Sequence, residues 1–250
     1  MKNLTLKNVC KFFTAHKSHE AVQALNRVTF TVESGEYVCI LGRSGCGKST
    51  LLNIIAGLDI PDSGIVLLDD IPITGPDRHR MLMFQDAALF PWLDVTGNVL
   101  YSLKLVSGLS DTERKERVKS YLEIVGLTDY AHFRIHELSG GMRQRTALAR
   151  ALAPNPEILL MDEPFSALDA MTREQLYADM QDIWESTKKT VIMVTHNVRE
   201  AVCMGTRVLL MAPFGELIGD ERIDLPYPRQ MNDPELTATA ARISSILQQS

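Results

Sequence analysis

Gly42-Arg43-Ser44-Gly45-Cys46-Gly47-Lys48-Ser49-Thr50 fits the pattern G-x-x-x-x-G-K-[ST]. Ahead of it, Tyr37-Val38-Cys39-Ile40-Leu41 is an unbroken apolar run, the pattern of a strand buried on both faces. Behind it, Ser49 to Ala56 reads as a helix that stops at Gly57. Strand, glycine-rich loop and helix together predict a phosphate-binding loop. The glycines let backbone N–H groups converge into a nest for phosphate oxygens, and the helix start adds the positive end of its dipole. Lys48 is placed to reach the β- and γ-phosphates of a nucleoside triphosphate, with the Ser49 hydroxyl on Mg²⁺. An ordinary glycine-rich turn rarely matches this pattern with both flanking elements in place. Cys46 lies inside the loop, beside Lys48 and the helix start. That setting predicts a thiol of lowered pKa that labels readily.

The 250 residues are 45% apolar and carry a formal net charge of −5, enough for a sizeable α/β core. The acidic balance argues against nucleic acid as the main partner, because phosphate backbones are bound by clustered Lys and Arg. Cys10, Cys39, Cys46 and Cys203 show no C-x-x-C spacing, which suggests a reducing compartment. The stretch Met1 to Lys7 lacks the apolar centre of a signal peptide, and no apolar run approaches the roughly 18 residues of a membrane span. A chain of this kind that serves a membrane is expected to do so from the cytosol.

Leu4 to Phe13 and Arg27 to Glu33 read as strands. Val28, Phe30 and Val32 alternate with polar residues, as on an antiparallel edge. The polar stretch Thr14 to Glu20 reads as a turn. Ile65 to Leu68 and Ile71 to Ile73 suggest a hairpin about Asp69-Asp70, and Met81 to Phe84 a short strand delivering Gln85 to its end. From Asp86 to Ala153 helical periods take over. Ser110-Asp111-Thr112-Glu113 is a capping box, and a later helix runs from Gly140 to Ala153 before Pro154. Strands then return at 157–161, 190–195, 207–212 and 216–218. One helix is expected with Leu176, Met180, Ile183 and Trp184 on one face, another ending at Gly205, and a last one running to about Leu247.

Three further features carry chemistry. Asp162 closes an apolar run, a position suited to holding Mg²⁺, and Glu163 beside it is a candidate general base for an attacking water. His196 closes another strand. Ser139-Gly140-Gly141 opens a helix and offers a second phosphate nest, or simply an N-cap followed by two glycines.

Leu138-Ser139-Gly140-Gly141-Met142-Arg143-Gln144-Arg145 resembles the signature motif of ABC transporter nucleotide-binding subunits. The order also matches: phosphate loop, Gln85, signature, Ile158 to Glu163, Ser166-Ala167-Leu168-Asp169, then His196. The resemblance implies one ABC ATP-binding domain over residues 1–250. It has the P-loop NTPase fold, a RecA-like core (about 1–85 and 154–250) with an antiparallel β subdomain and an inserted α-helical subdomain (about 86–153). It implies ATP hydrolysis with ATP and Mg²⁺ as cofactors. Gly42, Arg43, Ser44, Gly45, Cys46, Gly47, Lys48, Ser49 and Thr50 would bind nucleotide, and Ser49, Gln85 and Asp162 the metal. Glu163, His196 and Gln85 would be catalytic, with Phe13 stacking on adenine where the family often has Tyr. Ser139, Gly140 and Gly141 would act in trans, on the site of a second copy in a head-to-tail dimer. Asp169 would lie in the loop that crosses the interface. Met142 stands where the family often has Gln.

Gly75-Pro76-Asp77-Arg78, Phe84-Gln85-Asp86, Leu89-Phe90-Pro91-Trp92 and Leu225-Pro226-Tyr227-Pro228-Arg229 resemble the nitrate/sulfonate/taurine import group. This implies transmembrane permease subunits as partners, docking near Phe90 and Trp92, and indirectly a solute-binding protein. The expected location is peripheral, on the cytoplasmic face of the inner membrane. The alternatives are a non-transport ABC ATPase and a nucleotide-sensing regulator.

Overall fold

The computed structural model describes residues 2–14, 21–166 and 168–248. Of the polar turn expected over 14–20, only Thr14 is described, and it closes the first strand. Ala167 of the Ser166-Ala167-Leu168-Asp169 motif also lies outside the described residues. In chain order the elements are β1 (Leu4–Thr14), β2 (Ala21–Val32), β3 (Tyr37–Gly42), α1 (Lys48–Ala56), β4 (Ser63–Leu68), β5 (Ile71–Pro72), β6 (Arg80–Met83), α2 (Val95–Ser102), α3 (Asp111–Ile124) and α4 (Gly140–Leu152). There follow β7 (Ile158–Asp162), α5 (Ala170–Thr187), β8 (Thr190–Thr195), α6 (Val198–Met204), β9 (Arg207–Ala212), β10 (Glu216–Arg222) and α7 (Pro234–Gln248).

The backbone divides into two compact units, residues 1–77 with 188–250, and residues 78–187. In the first, β3 lies between β8 and β9 and runs parallel to both, while β10 returns antiparallel to β9. All six residues of β3 and all six of β8 are buried, as continuous apolar runs predict for central parallel strands. The same unit holds an antiparallel sheet in the order β2-β1-β4-β5. On its edge strand β2, Leu25, Val28, Phe30 and Val32 are buried and Arg27, Thr29 and Thr31 exposed. Asp69 and Asp70 both take positive φ at the β4–β5 turn, the backbone of a tight type I′ hairpin.

In the second unit β6 pairs parallel with β7, and α4 packs against α2, α3, α5 and β6. The capping box of α3 forms in both directions, Ser110 Oγ accepting from Glu113 N–H and Glu113 Oε2 from Ser110 N–H. The whole stretch 86–153 lies within this unit, together with β6, β7 and α5.

Two strands run longer than expected. β2 begins at Ala21, because its first half pairs with β1 through a series of register shifts that break simple alternation. β10 continues to Arg222 through the polar Gly219-Asp220-Glu221. There the ladder with β9 and the Arg207–Asp220 ion pair, 2.6 Å, supply the stability that apolar residues would otherwise give.

The C-terminal segment is fastened to α6 by a buried arginine. Arg229 donates to the carbonyls of Val202 at 2.7 Å, Gly205 at 2.6 Å and Leu225 at 2.7 Å, and its guanidinium lies over the Tyr227 ring. Arg229→Met would keep the volume and leave these carbonyls without a charged donor. We expect a loss of about 3 kcal/mol of unfolding free energy, read as a lowered urea midpoint with an unchanged slope.

Candidate phosphate-binding and catalytic sites

The sequence places Lys48 at the first position of α1, and packing buries it: the residue is 5% exposed. Its Nζ donates to the carbonyl oxygens of Gly42 at 2.8 Å and Arg43 at 3.0 Å. Among the described residues no carboxylate forms an ion pair with it. An ammonium in that setting is incompletely compensated, and an anion is the natural complement. The helix start agrees. Gly47 caps α1 with φ 102 and has no side chain to accept from the first-turn N–H groups, and the first turn has no acidic residue. By contrast α2, α3, α4 and α6 are capped by Asp94, Ser110, Ser139 and Asn197. A helix start without a side-chain cap is a natural place for an anion.

A bulge in β2 seats this loop. β1 pairs Lys11 with Leu25 but Phe12 with Gln23, which leaves Ala24 as the extra residue. The Ala24 carbonyl lies against Gly47 so closely that a Cβ there would overlap it. Gly47 thus answers two demands, a positive φ and a backbone contact. Two residues along β2, Val22 pairs across the ladder with Phe13. Phe13 is 46% exposed, so an open aromatic face lies roughly 7 Å of strand from the loop's seat. Arg43, Ser44, Gly45 and Ser49 form the exposed crest and exit of the loop.

Cys46 departs from expectation. It is 2% exposed, and burial pushes its thiol pKa up, outweighing the lowering effect of Lys48 and of nearby N–H groups. Loop membership predicted an activated thiolate, but the sulfur is turned inward beneath Gly42.

His196 is exposed at the end of β8, and a buried bracket fixes the backbone on both sides of it. Thr195 Oγ1 donates to Glu200 Oε2 at 2.5 Å and accepts from Asn197 N–H at 3.0 Å. The Asn197 side chain in turn caps Arg199 and Glu200. Neither Thr195 nor Glu200 stood out in the sequence. A threonine and a glutamate flanking a strand-end histidine was the available signal.

The second unit holds the other candidates. β7 delivers Asp162 and then Glu163, which takes φ 42. A left-handed non-glycine backbone is strained and persists only when its surroundings hold it. Here the Glu163 carbonyl accepts from both the Ser166 hydroxyl, at 2.9 Å, and the Ser166 N–H, at 3.2 Å. Gln85 Nε2 donates to Ser166 Oγ at 3.2 Å, and Gln144 Nε2 of α4 donates to the Gln85 carbonyl at 3.0 Å. A chain of hydrogen bonds thus runs from α4 through Gln85 to the turn that carries Glu163. Gln144 and Ser166 lay inside quoted motifs without a role of their own. Ser139 is exposed and caps α4, accepting from Met142 N–H at 3.2 Å, and Gly140 is the first residue of that helix. Gly141 is buried where a Cβ would overlap the Thr172 methyl. Asp169 accepts from Thr172 N–H at 3.0 Å, and that bond holds its carboxyl below the ordinary range.

A family model described as ABC transporter matches residues 25–166. The putative ATP-binding protein of Brucella abortus is 48% identical over 224 residues, covering 88% of this chain and 86% of that one. The nitrate import ATP-binding protein of Synechococcus elongatus is 44% identical, covering 82% and 76%. The taurine import ATP-binding protein of Burkholderia pseudomallei is 46% identical, covering 82% and 78%. Among solved structures, the dimeric post-hydrolysis state of an ATP-binding cassette bound to ADP and Pi superposes with a TM-score of 0.77 at 36% identity. It covers 89% of this chain and all of that one.

The burial of Cys46 has a direct readout. A thiol whose pKa is raised by burial holds less of the reactive thiolate, and burial also shields the sulfur from a reagent. Iodoacetamide at pH 8, followed peptide by peptide, is expected to label Cys46 more slowly in the folded chain than in guanidinium. Equal rates would return the loop to an activated thiolate.

Proposed function

Because the chain belongs to the ABC transporter family and is an ATPase of that family, we propose that it is the subunit that drives an importer of a small anion of the nitrate, sulfonate or taurine kind. The observation that carries the nucleotide part is Lys48, a buried cation with carbonyl partners beside an uncapped helix start. The importer part is supported by the relatives named for nitrate and taurine import.

In this reading Lys48 and the N–H groups of Gly42 to Thr50 hold the phosphates, and Phe13 stacks on adenine. The Ser49 hydroxyl, the Gln85 amide oxygen and the Asp162 carboxylate would hold Mg²⁺. All three are the hard oxygen donors that this ion prefers. The ion would neutralise charge developing on the transferred phosphoryl group. Glu163 orients the attacking water and accepts its proton at a carboxylate oxygen, and the Ser166 hydrogen bonds keep its backbone in place. His196 contacts the γ-phosphate. Ser139, Gly140 and Gly141 of a second copy complete the site, with Asp169 at the interface. The dimeric cassettes among the solved neighbours support this arrangement.

Permease subunits would dock at Trp92, which is 69% exposed and stacks on Phe90, itself against Tyr101. Large aromatics presented in this way are favoured as interface anchors. No helix among the described residues is long and apolar enough to cross a membrane. The subunit would work peripherally on the cytoplasmic face, with a solute-binding protein reached only through the permease.

Two measurements test this reading. Glu163→Gln is expected to bind ATP as the wild type does, lose about 10²–10⁴-fold in turnover, and accumulate as an ATP-bound dimer on size exclusion. Wild-type turnover would remove Glu163 from the mechanism. For the shared site, Lys48→Ala and Ser139→Arg are each expected to be inactive alone. Mixed, they form heterodimers with one intact composite site, and ATPase activity returns. Continued inactivity in mixtures that do form heterodimers would refute sharing.

A further inference from the structure

Lys11 is 9% exposed, yet its ammonium lies on the same strand face as Phe13, two residues on. Its Nζ donates to Asp59 Oδ1 at 2.7 Å and to the Ile60 carbonyl at 2.7 Å, with Asp62 Oδ1 at 3.9 Å. The turn bearing these groups is itself tied to β1. Phe12 N–H donates to Asp62 Oδ2 at 2.6 Å, and Asp62 N–H donates to the Cys10 carbonyl at 2.9 Å. The ammonium is therefore held, and it is held over the Phe13 ring, 5.5 Å from the centroid. That distance is within the range of a cation–π interaction.

We infer that Lys11 is a positioning residue for nucleobase recognition, fixing the Phe13 ring from behind so that its open face is ready to stack on adenine. The inference rests on the reading of Phe13 as the adenine platform. Three physical effects support it. A cation on one face draws π density toward itself, so the opposite face repels the π cloud of a purine less. A ring already fixed in one orientation loses less freedom when the base arrives. Finally, phenylalanine has no hydroxyl with which to anchor itself, and the ammonium supplies that anchor from the other side.

The effect must act through the ring and not through the phosphates, which sets the experiment. Binding of ATP and of inorganic tripolyphosphate, which has no base, is measured by calorimetry on the full chain without Mg²⁺. Lys11→Met is expected to weaken ATP about threefold to tenfold and to leave tripolyphosphate unchanged. Lys11→Arg, which keeps the cation, is expected to bind ATP as the wild type does. In the Phe13→Ala background, Lys11→Met should have no further effect on ATP.

Unchanged ATP affinity in folded Lys11→Met, equal weakening of tripolyphosphate, or effects of the two substitutions that simply multiply would each overturn the inference. Wild-type ATP affinity in Phe13→Ala would remove the adenine reading itself, and this inference with it. Should Lys11→Met fail to fold, Asp59→Asn makes the same comparison by loosening the ammonium while leaving its charge. ATP weakened with tripolyphosphate intact supports the inference, and any other result overturns it.

Discussion

A buried ammonium group must be surrounded by acceptors, and Lys48 meets that demand with two carbonyls of its own loop, Gly42 and Arg43. To bring those carbonyls to the lysine, the chain must turn sharply between the end of β3 and the start of α1. The turn needs glycine at 47, where φ is 102 and the Ala24 carbonyl leaves no room for a Cβ. The Ala24 carbonyl is aimed there by a bulge in β2, an element more than twenty residues upstream. The position of the phosphate loop is thus set jointly by a central strand, a helix and an edge strand of the antiparallel sheet.

The second unit solves a different problem, holding an acidic residue in a strained backbone. Glu163 sits at φ 42, and two hydrogen bonds from Ser166 to its carbonyl stabilise the turn. Ser166 is also the acceptor for Gln85, and Gln85 is the acceptor for Gln144 on α4. Each bond alone contributes on the order of 1 kcal/mol. Their connection means that a displacement of α4 or of Gln85 reaches the carbonyl of the proposed base through two shared partners. On the proposed reading, Gln85 lies near the aromatic face where a permease docks, and this connection gives coupling a physical carrier.

Sequence patterns reported the elements well where burial alone decides structure. β3 and β8 are legible because a strand buried on both faces is apolar through its centre, and the α3 capping box because its residues bond within one turn. What sequence left hidden depends on register and on long-range partners. The Ala24 bulge has no signature in Leu25 or Gln23. The start of β2 is polar and irregular because its order comes from pairing with β1. Cys46 was misread because a thiol's pKa follows the direction in which its side chain points, and loop membership does not determine that direction. Lys11 carries no signal of its own in the sequence. Its partners, Asp59 and Asp62, are 48 and 51 residues away.

The two helix starts of the proposed composite site differ in a way that orders their use. The cap of α1 is Gly47, which has no side chain that an arriving phosphate must displace. At α4, Ser139 already accepts from Met142 N–H, and a phosphate there must replace or share that bond. The bond is 3.2 Å long and the serine is exposed, so the exchange costs little, but α4 begins with less to gain. On the proposed reading, a nucleotide would therefore be captured first by the phosphate loop of one copy. Once held, its phosphate charge would draw in the capped helix of the other. Dimer formation would then follow nucleotide binding, as a cycle gated by ATP requires.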